Sequence, residues 1–170
     1  ARRDHELRGC AMIARYQVLA RRIQLEVEAL DRTQVTIQDI EIARQTATDQ
    51  DAYLNSVALN LHSLYSGLER VFELIAVELD GGALGGEAGN AELLRQMTLD
   101  VPEVRPAVLQ RDAAERLDEY RKFRHRIRNI YASNLDPERM AHLVTGLTSL
   151  WQEIRTQLMD FTRFLGALAG

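Results

Sequence analysis

Residues 121–128 read Arg-Lys-Phe-Arg-His-Arg-Ile-Arg, which places five cations and a histidine in eight positions with no acid among them. On a helix Arg121, Arg124, His125 and Arg128 fall at i, i+3, i+4 and i+7, and so share one face. Like charges this close repel one another, so the run adds nothing to local helix stability. Two readings of the pattern stand side by side. In one, Arg121, Arg124, Arg126 and Arg128 bind phosphate or RNA. In the other, the face is solvated and paired with acids of neighbouring helices, for which Glu69, Glu73, Asp118 and Glu119 are available. All basic residues except Lys122 are arginine, 20 of the 21. Genomic composition explains that bias most simply. Its consequence is that any basic patch here offers planar guanidinium forks suited to phosphate.

Other residues capable of chemistry are poorly placed for it. His5 and His142 have no Cys, His or carboxylate at a ligand spacing, so no metal is expected. His62 neighbours an apolar stripe and reads as an interior or flanking residue. Ser56, Ser63 and Ser66 lack a His and Asp arranged for nucleophilic catalysis. Cys10, the sole cysteine, has no base beside it and reads as a small packed residue. The stretch GGALGGEAGN at 81–90 follows no strand and fits neither phosphate-loop fingerprint, so it reads as a connector or a lid.

The elements that position the basic run follow from apolar spacing. With 46% hydrophobic and 27% charged residues, the 170-residue chain has the composition of one ordinary globular domain. A net charge of −4 excludes a surface that is basic all over. No apolar run is long enough to span a bilayer and no secretory leader is evident, so a soluble, cytoplasmic protein is expected. Ile13, Tyr16, Ala20, Ile23, Val27 and Leu30 mark a first helix. The β-branched stretch Thr33 to Ile37 predicts a kink or brief break, with the helix resuming to about Thr46. Leu54, Val57, Leu61, Leu64, Leu68, Val71 and Ile75 step by three and four through a second helix, capped by Asp49 or Asp51 and ended by Gly81-Gly82. A short helix over about 91–99 precedes an irregular stretch bracketed by Pro102 and Pro106. A third long helix over about 111–131 carries the basic run, with Leu117, Tyr120, Ile127 and Ile130 inward. Asp136-Pro137-Glu138 starts the last helix. No segment alternates with period two. The expected class is all-α, a bundle of four to five main helices in a single domain over 1–170.

The stretch Arg124-His125-Arg126-Ile127-Arg128-Asn129-Ile130-Tyr131 resembles the motif of HEPN-domain proteins, specifically the HepT-like toxins: an arginine, a polar residue, further positions, a histidine, a spacer and a tyrosine. Leu61 to Arg70, Leu93 to Met97 and Asn134 to Arg139 resemble further landmarks of one HepT-like branch. Together they cover about residues 50–168. The resemblance implies a HEPN-like helical bundle that forms a homodimer, with two motif copies at the interface. It implies a metal-independent ribonuclease needing no cofactor, encoded beside a minimal nucleotidyltransferase antitoxin that adenylylates the motif tyrosine. Carried over, Arg124 holds the reacting phosphate, His125 is the polar position after it, and Tyr131 is the modified residue. The chain departs from the pattern at position 129, where Asn129 stands in place of the usual histidine. Asparagine does not titrate, whereas cleavage by a 2′-hydroxyl needs a proton acceptor near neutral pH. His125, one turn earlier on the same face, could serve as the base, and Asn129 could orient a hydroxyl or donate a hydrogen bond. The alternative is a non-catalytic module of the same fold that binds RNA, nucleotide or the nucleotidyltransferase.

Overall fold

The computed structural model describes residues 2–83, 89–129 and 135–170, with the side chains of all of these except 2–8, 10, 89, 128 and 129. Five helices account for most of it: α1 (Arg2–Arg44), α2 (Gln50–Leu79), α3 (Gly89–Gln96), α4 (Arg111–Asn129) and α5 (Pro137–Ala169). No strand occurs among the described residues; Val101 and Arg105 form one isolated bridge. The architecture is the all-α bundle expected. Ile130 and Tyr131, expected at the end of the third long helix, lie outside the described residues, as do the side chains of His5 and Cys10.

α1, α2 and α5 form the framework, and α4 lies against α2 and α5. Polar contacts fix the antiparallel register of α1 and α5. Trp151 Nε1 donates to Asp31 at 2.8 Å, and Gln34 donates to Thr148 at 3.0 Å. Arg15 pairs with Glu78 across α1 and α2 at 2.6 Å. The core is the apolar stripes predicted from spacing: Val57, Leu61, Leu64, Leu68, Val71 and Ile75 of α2 are all buried, as are Leu147, Trp151, Ile154 and Leu158 of α5.

The expected break in the first helix does not occur, and α1 runs unbroken for 43 residues, about 65 Å. Leu30 and Ile37 are both buried in the core, so packing on α2 and α5 holds the segment helical against its weak propensity. The hydroxyls of Thr33 and Thr36 bond back to the carbonyls of Ala29 and Arg32, which satisfies the hydroxyls within the helix.

Ends are set by the residues that the sequence marks. Asp49 caps α2 by accepting from Ala52 N at 3.0 Å. At its other end Gly81 adopts φ +82°, a conformation glycine takes without penalty, and Gly82 N donates to Ala76 O. Asp136 caps α5 by accepting from Glu138 N and Arg139 N, with Pro137 in the first turn.

Gly67 sits on α2 against Leu30 of α1. A Cβ there would lie 2.6 Å from Leu30 Cδ2, and Leu30 is itself buried. The helix-propensity gain of Gly67→Ala, up to about 1 kcal/mol, is opposed by overpacking of about 1–3 kcal/mol. A net loss of about 1 kcal/mol is expected in urea denaturation. An unchanged or raised midpoint would mean that Leu30 moves aside freely.

Candidate functional site

α4 divides the basic run among environments. Arg124 projects toward α2, its side chain only 13% exposed. Its Nε donates to Ser66 Oγ at 2.9 Å and its Nη1 to Glu69 Oε2 at 2.9 Å. The guanidinium carbon lies 5.9 Å from the ring centroid of Tyr65, within cation–π range. Glu69 is buried, so its charge is matched by Arg124 in a site largely withdrawn from water. Among the described residues no group bonds Nη2 of Arg124.

Tyr65 is buried beneath this pair, and its hydroxyl pKa is raised well above the usual range, first by desolvation and then by the charge of Glu69. It is a neutral phenol at any ordinary pH. Arg121, one turn before Arg124, donates to Asp118 at 2.6 Å. Burial raises the pKa of Asp118, but hydrogen bonds from Arg121 and Lys122 outweigh it and hold the carboxyl below its usual range. Lys122 also donates to Glu119 at 3.1 Å.

Acids of α2 and α4 therefore do pair with part of the run: Glu69 holds Arg124, Asp118 holds Arg121 and Lys122, and Glu119 also meets Lys122, while Glu73 is exposed on α2. His125 is exposed and half a turn or less from Arg124 in register. Arg126 is half-buried, and its Nη2 is shut from solvent without a hydrogen-bond partner among the described residues. Arg128 and Asn129 belong to α4 by backbone, with side chains outside those described, and Tyr131 lies outside the described residues altogether.

The site thus brings together Arg124, Ser66, Glu69, Tyr65 and Arg121, with His125 on the outer side. Ser66 carried no catalytic weight by sequence; its part is to accept from Nε. Among the described residues no group of three or more His, Cys, Asp or Glu is placed to hold a metal ion.

A residue outside the basic run proved structurally prominent. Arg105 is fully buried and spends five donations: to both Asp80 oxygens at 2.7 Å and to the carbonyls of Gln96, Leu99 and Pro106. It ties the irregular stretch before α4 to the end of α2, and so sets where α4 begins. Tyr120, whose buried hydroxyl donates to Leu143 O at 2.6 Å, locks α4 against α5; burial pushes its pKa up to about 12.

Residues 56–165 match the family model described as HepT-like protein. That span takes in Ser66, Glu69, Arg105 and the whole basic run. Among curated proteins none matches the chain.

Proposed function

The chain belongs to the HepT-like family of the HEPN superfamily, and from that premise we propose that it is the ribonuclease toxin of a toxin–antitoxin pair, cutting RNA without a metal. The observation that carries the reading is Arg124, held by Ser66 and Glu69 so that its fork is fixed before any ligand arrives. A preset, permanently charged donor suits a phosphate that gains negative charge during reaction.

In this reading Arg124 holds the scissile phosphate. His125 accepts the proton of the ribose 2′-hydroxyl as its oxygen bonds to phosphorus. The bond from phosphorus to the 5′-oxygen breaks, and that oxygen is protonated as it leaves. The products are a 2′,3′-cyclic phosphate and a 5′-hydroxyl, with no redox change and no metal. Asn129, one turn beyond His125, donates a hydrogen bond to the phosphoryl oxygens but cannot exchange a proton. Arg121 and Arg128 contact the neighbouring backbone.

The same family premise supports a homodimer with the two-fold axis near α4, where two Arg124 side chains approach one RNA and each Glu69 offsets part of the repulsion. It also supports a minimal nucleotidyltransferase partner that transfers AMP to the Tyr131 hydroxyl, in the cytoplasm where RNA is available. AMP there would present a phosphate to Arg124 or Arg128 and occupy the path of the RNA backbone.

The wild-type chain is expected to cleave RNA in EDTA, and Asn129→His is expected to raise the rate by about tenfold or more, since a positioned proton acceptor contributes roughly 10²–10⁴-fold. His125→Ala should remove the wild-type activity. The absence of cleavage by both wild type and Asn129→His would instead support a non-catalytic module that binds RNA, nucleotide or the nucleotidyltransferase, the reading that Asn129 itself favours. Intact-mass analysis with ATP and the cognate nucleotidyltransferase tests the regulation. An AMP increment that persists in Tyr131→Phe would remove Tyr131 from it.

A further inference from the structure

Between α3 and α4 lies an open groove of about 680 Å³, within the size range of small-ligand and nucleotide sites. Its floor is apolar, from Leu94 and Ala114, with the exposed Leu99 at one side. Its walls carry Arg95, Arg111, Arg121 and Lys122 against the acids Glu115 and Asp118. Asp118 is already engaged by Arg121 and Lys122, so it fixes those two cationic heads in place. Arg95 is paired with Glu92 from α3 but stays 71% exposed, and Arg111 is exposed with no carboxylate partner among the described residues. In a chain of net charge −4 this is a local excess of cations on a groove with an apolar base.

The groove and the candidate site share α4, and Arg121 lines the groove. Residues 111, 115, 118, 122 and 125 recur every three or four positions along one face of α4. That face runs for about 21 Å from Arg111 to His125. Arg121 belongs to both the groove and the Arg124 cluster. An apolar base beside several cations, two of them held by Asp118, suits a single strand, whose phosphates it can meet without reading sequence.

Resting on the ribonuclease reading above, we propose that the α3–α4 groove is the track for single-stranded RNA flanking the cleaved phosphate, with Arg95 and Arg111 as phosphate contacts remote from the reaction. Two consequences follow from the charges. Affinity should depend on substrate length, because only strands that extend past His125 reach Arg111. Each lost phosphate contact should also flatten the salt dependence, by about 0.7 in log K against log salt for single strands.

The test uses the full chain and a 2′-O-methyl RNA 12-mer, which cannot react, read by fluorescence anisotropy across salt concentrations. Arg95→Glu/Arg111→Glu is expected to bind at least about tenfold more weakly, with the salt slope reduced by about 1.4 for two contacts. Arg21→Glu/Arg32→Glu, the same charge change on exposed α1 positions, should bind as the wild type does. Equal affinity and slope in the groove variant, equal loss in the α1 variant, or no binding by the wild type would each overturn the proposal. So would a glutamate-rich peptide that displaces the RNA from the wild type at lower concentration than unlabelled RNA does, since the groove would then fit an acidic protein segment. Cleavage measured in parallel separates the two claims. Groove-dependent binding without cleavage by the wild type removes the ribonuclease reading and leaves the track; cleavage with groove-independent binding does the reverse.

Discussion

Replacing Arg124 with lysine is expected to lower kcat/KM for RNA by on the order of 10²–10³-fold, close to the loss from Arg124→Ala. Lysine keeps the positive charge but not the fork. In the structure the fork is what matters, because Nε bonds Ser66 while Nη1 bonds Glu69, and only a planar group held at both points presents its third nitrogen in a fixed direction. An ammonium drawn to the buried Glu69 carboxylate would sit on that acid and leave the phosphate without a donor. Arg124→Ala alone is a less clean probe, since it removes a charged partner of a buried carboxylate and costs stability as well as activity. Glu69→Gln supplies the complementary measurement. It keeps the shape and an accepting oxygen while removing the charge, so Arg124 should remain bound to Ser66 but be less firmly aimed. A fall in kcat of about tenfold with little change in KM is expected if Glu69 positions Arg124. Wild-type rates in Arg124→Lys would show that charge alone suffices, and the role given to the fork would be withdrawn.

The parts of this arrangement differ in how visible they are in the amino-acid order. Helix identity is encoded locally, so the stripe from Val57 to Ile75 and the caps at Asp49 and Asp136 can be read from residue types and spacing. The continuity of α1 through Thr33 to Ile37 is not encoded locally. It depends on Leu30 and Ile37 meeting α2 and α5, which are distant in sequence. The basic run shows a similar limit. Its spacing puts Arg121 and Arg124 on one face, and four acids qualify as partners, but only packing decides that Glu69 takes Arg124 while Glu73 faces solvent. Helical register alone does not reveal that the Nη2 of Arg126 is shut from solvent. Arg105 left no periodic signal at all, because it lies in an irregular stretch where neither three-and-four spacing nor charge clustering applies.

That same arginine should be the most damaging single position for stability. Arg105→Met is expected to cost about 3–5 kcal/mol, because it removes one partner of a buried ion pair and leaves Asp80 with an unmatched charge. The side chain is fully buried, and its Nε and Nη2 form a two-point bond to Asp80. The carbonyls of Leu99 and Pro106 lose the guanidinium donor at the same time, while that of Gln96 keeps Leu99 N, so the cost extends beyond the pair. Asp80→Asn should be milder, since an amide oxygen still accepts from the guanidinium. Arg105→Met/Asp80→Leu should recover part of the loss by removing both charges, while the carbonyls of Leu99 and Pro106 stay without the guanidinium. Urea denaturation would read these as midpoint shifts at unchanged slope. The order of stability expected is wild type, Asp80→Asn, the double variant, then Arg105→Met. A cost below about 1 kcal/mol for Arg105→Met would show that water reaches the site readily and that the pair is not what anchors the stretch. The consequence for function would then be testable on the same proteins. Arg105 binds carbonyls on both sides of the turn that leads from α3 into α4, and the α3–α4 groove is bounded by Leu99 of that turn. Loss of the anchor should therefore weaken binding of a 12-mer more than it lowers cleavage of a dinucleotide, because the motif end of α4 is held separately by Tyr120 on α5 and by Arg124 on α2.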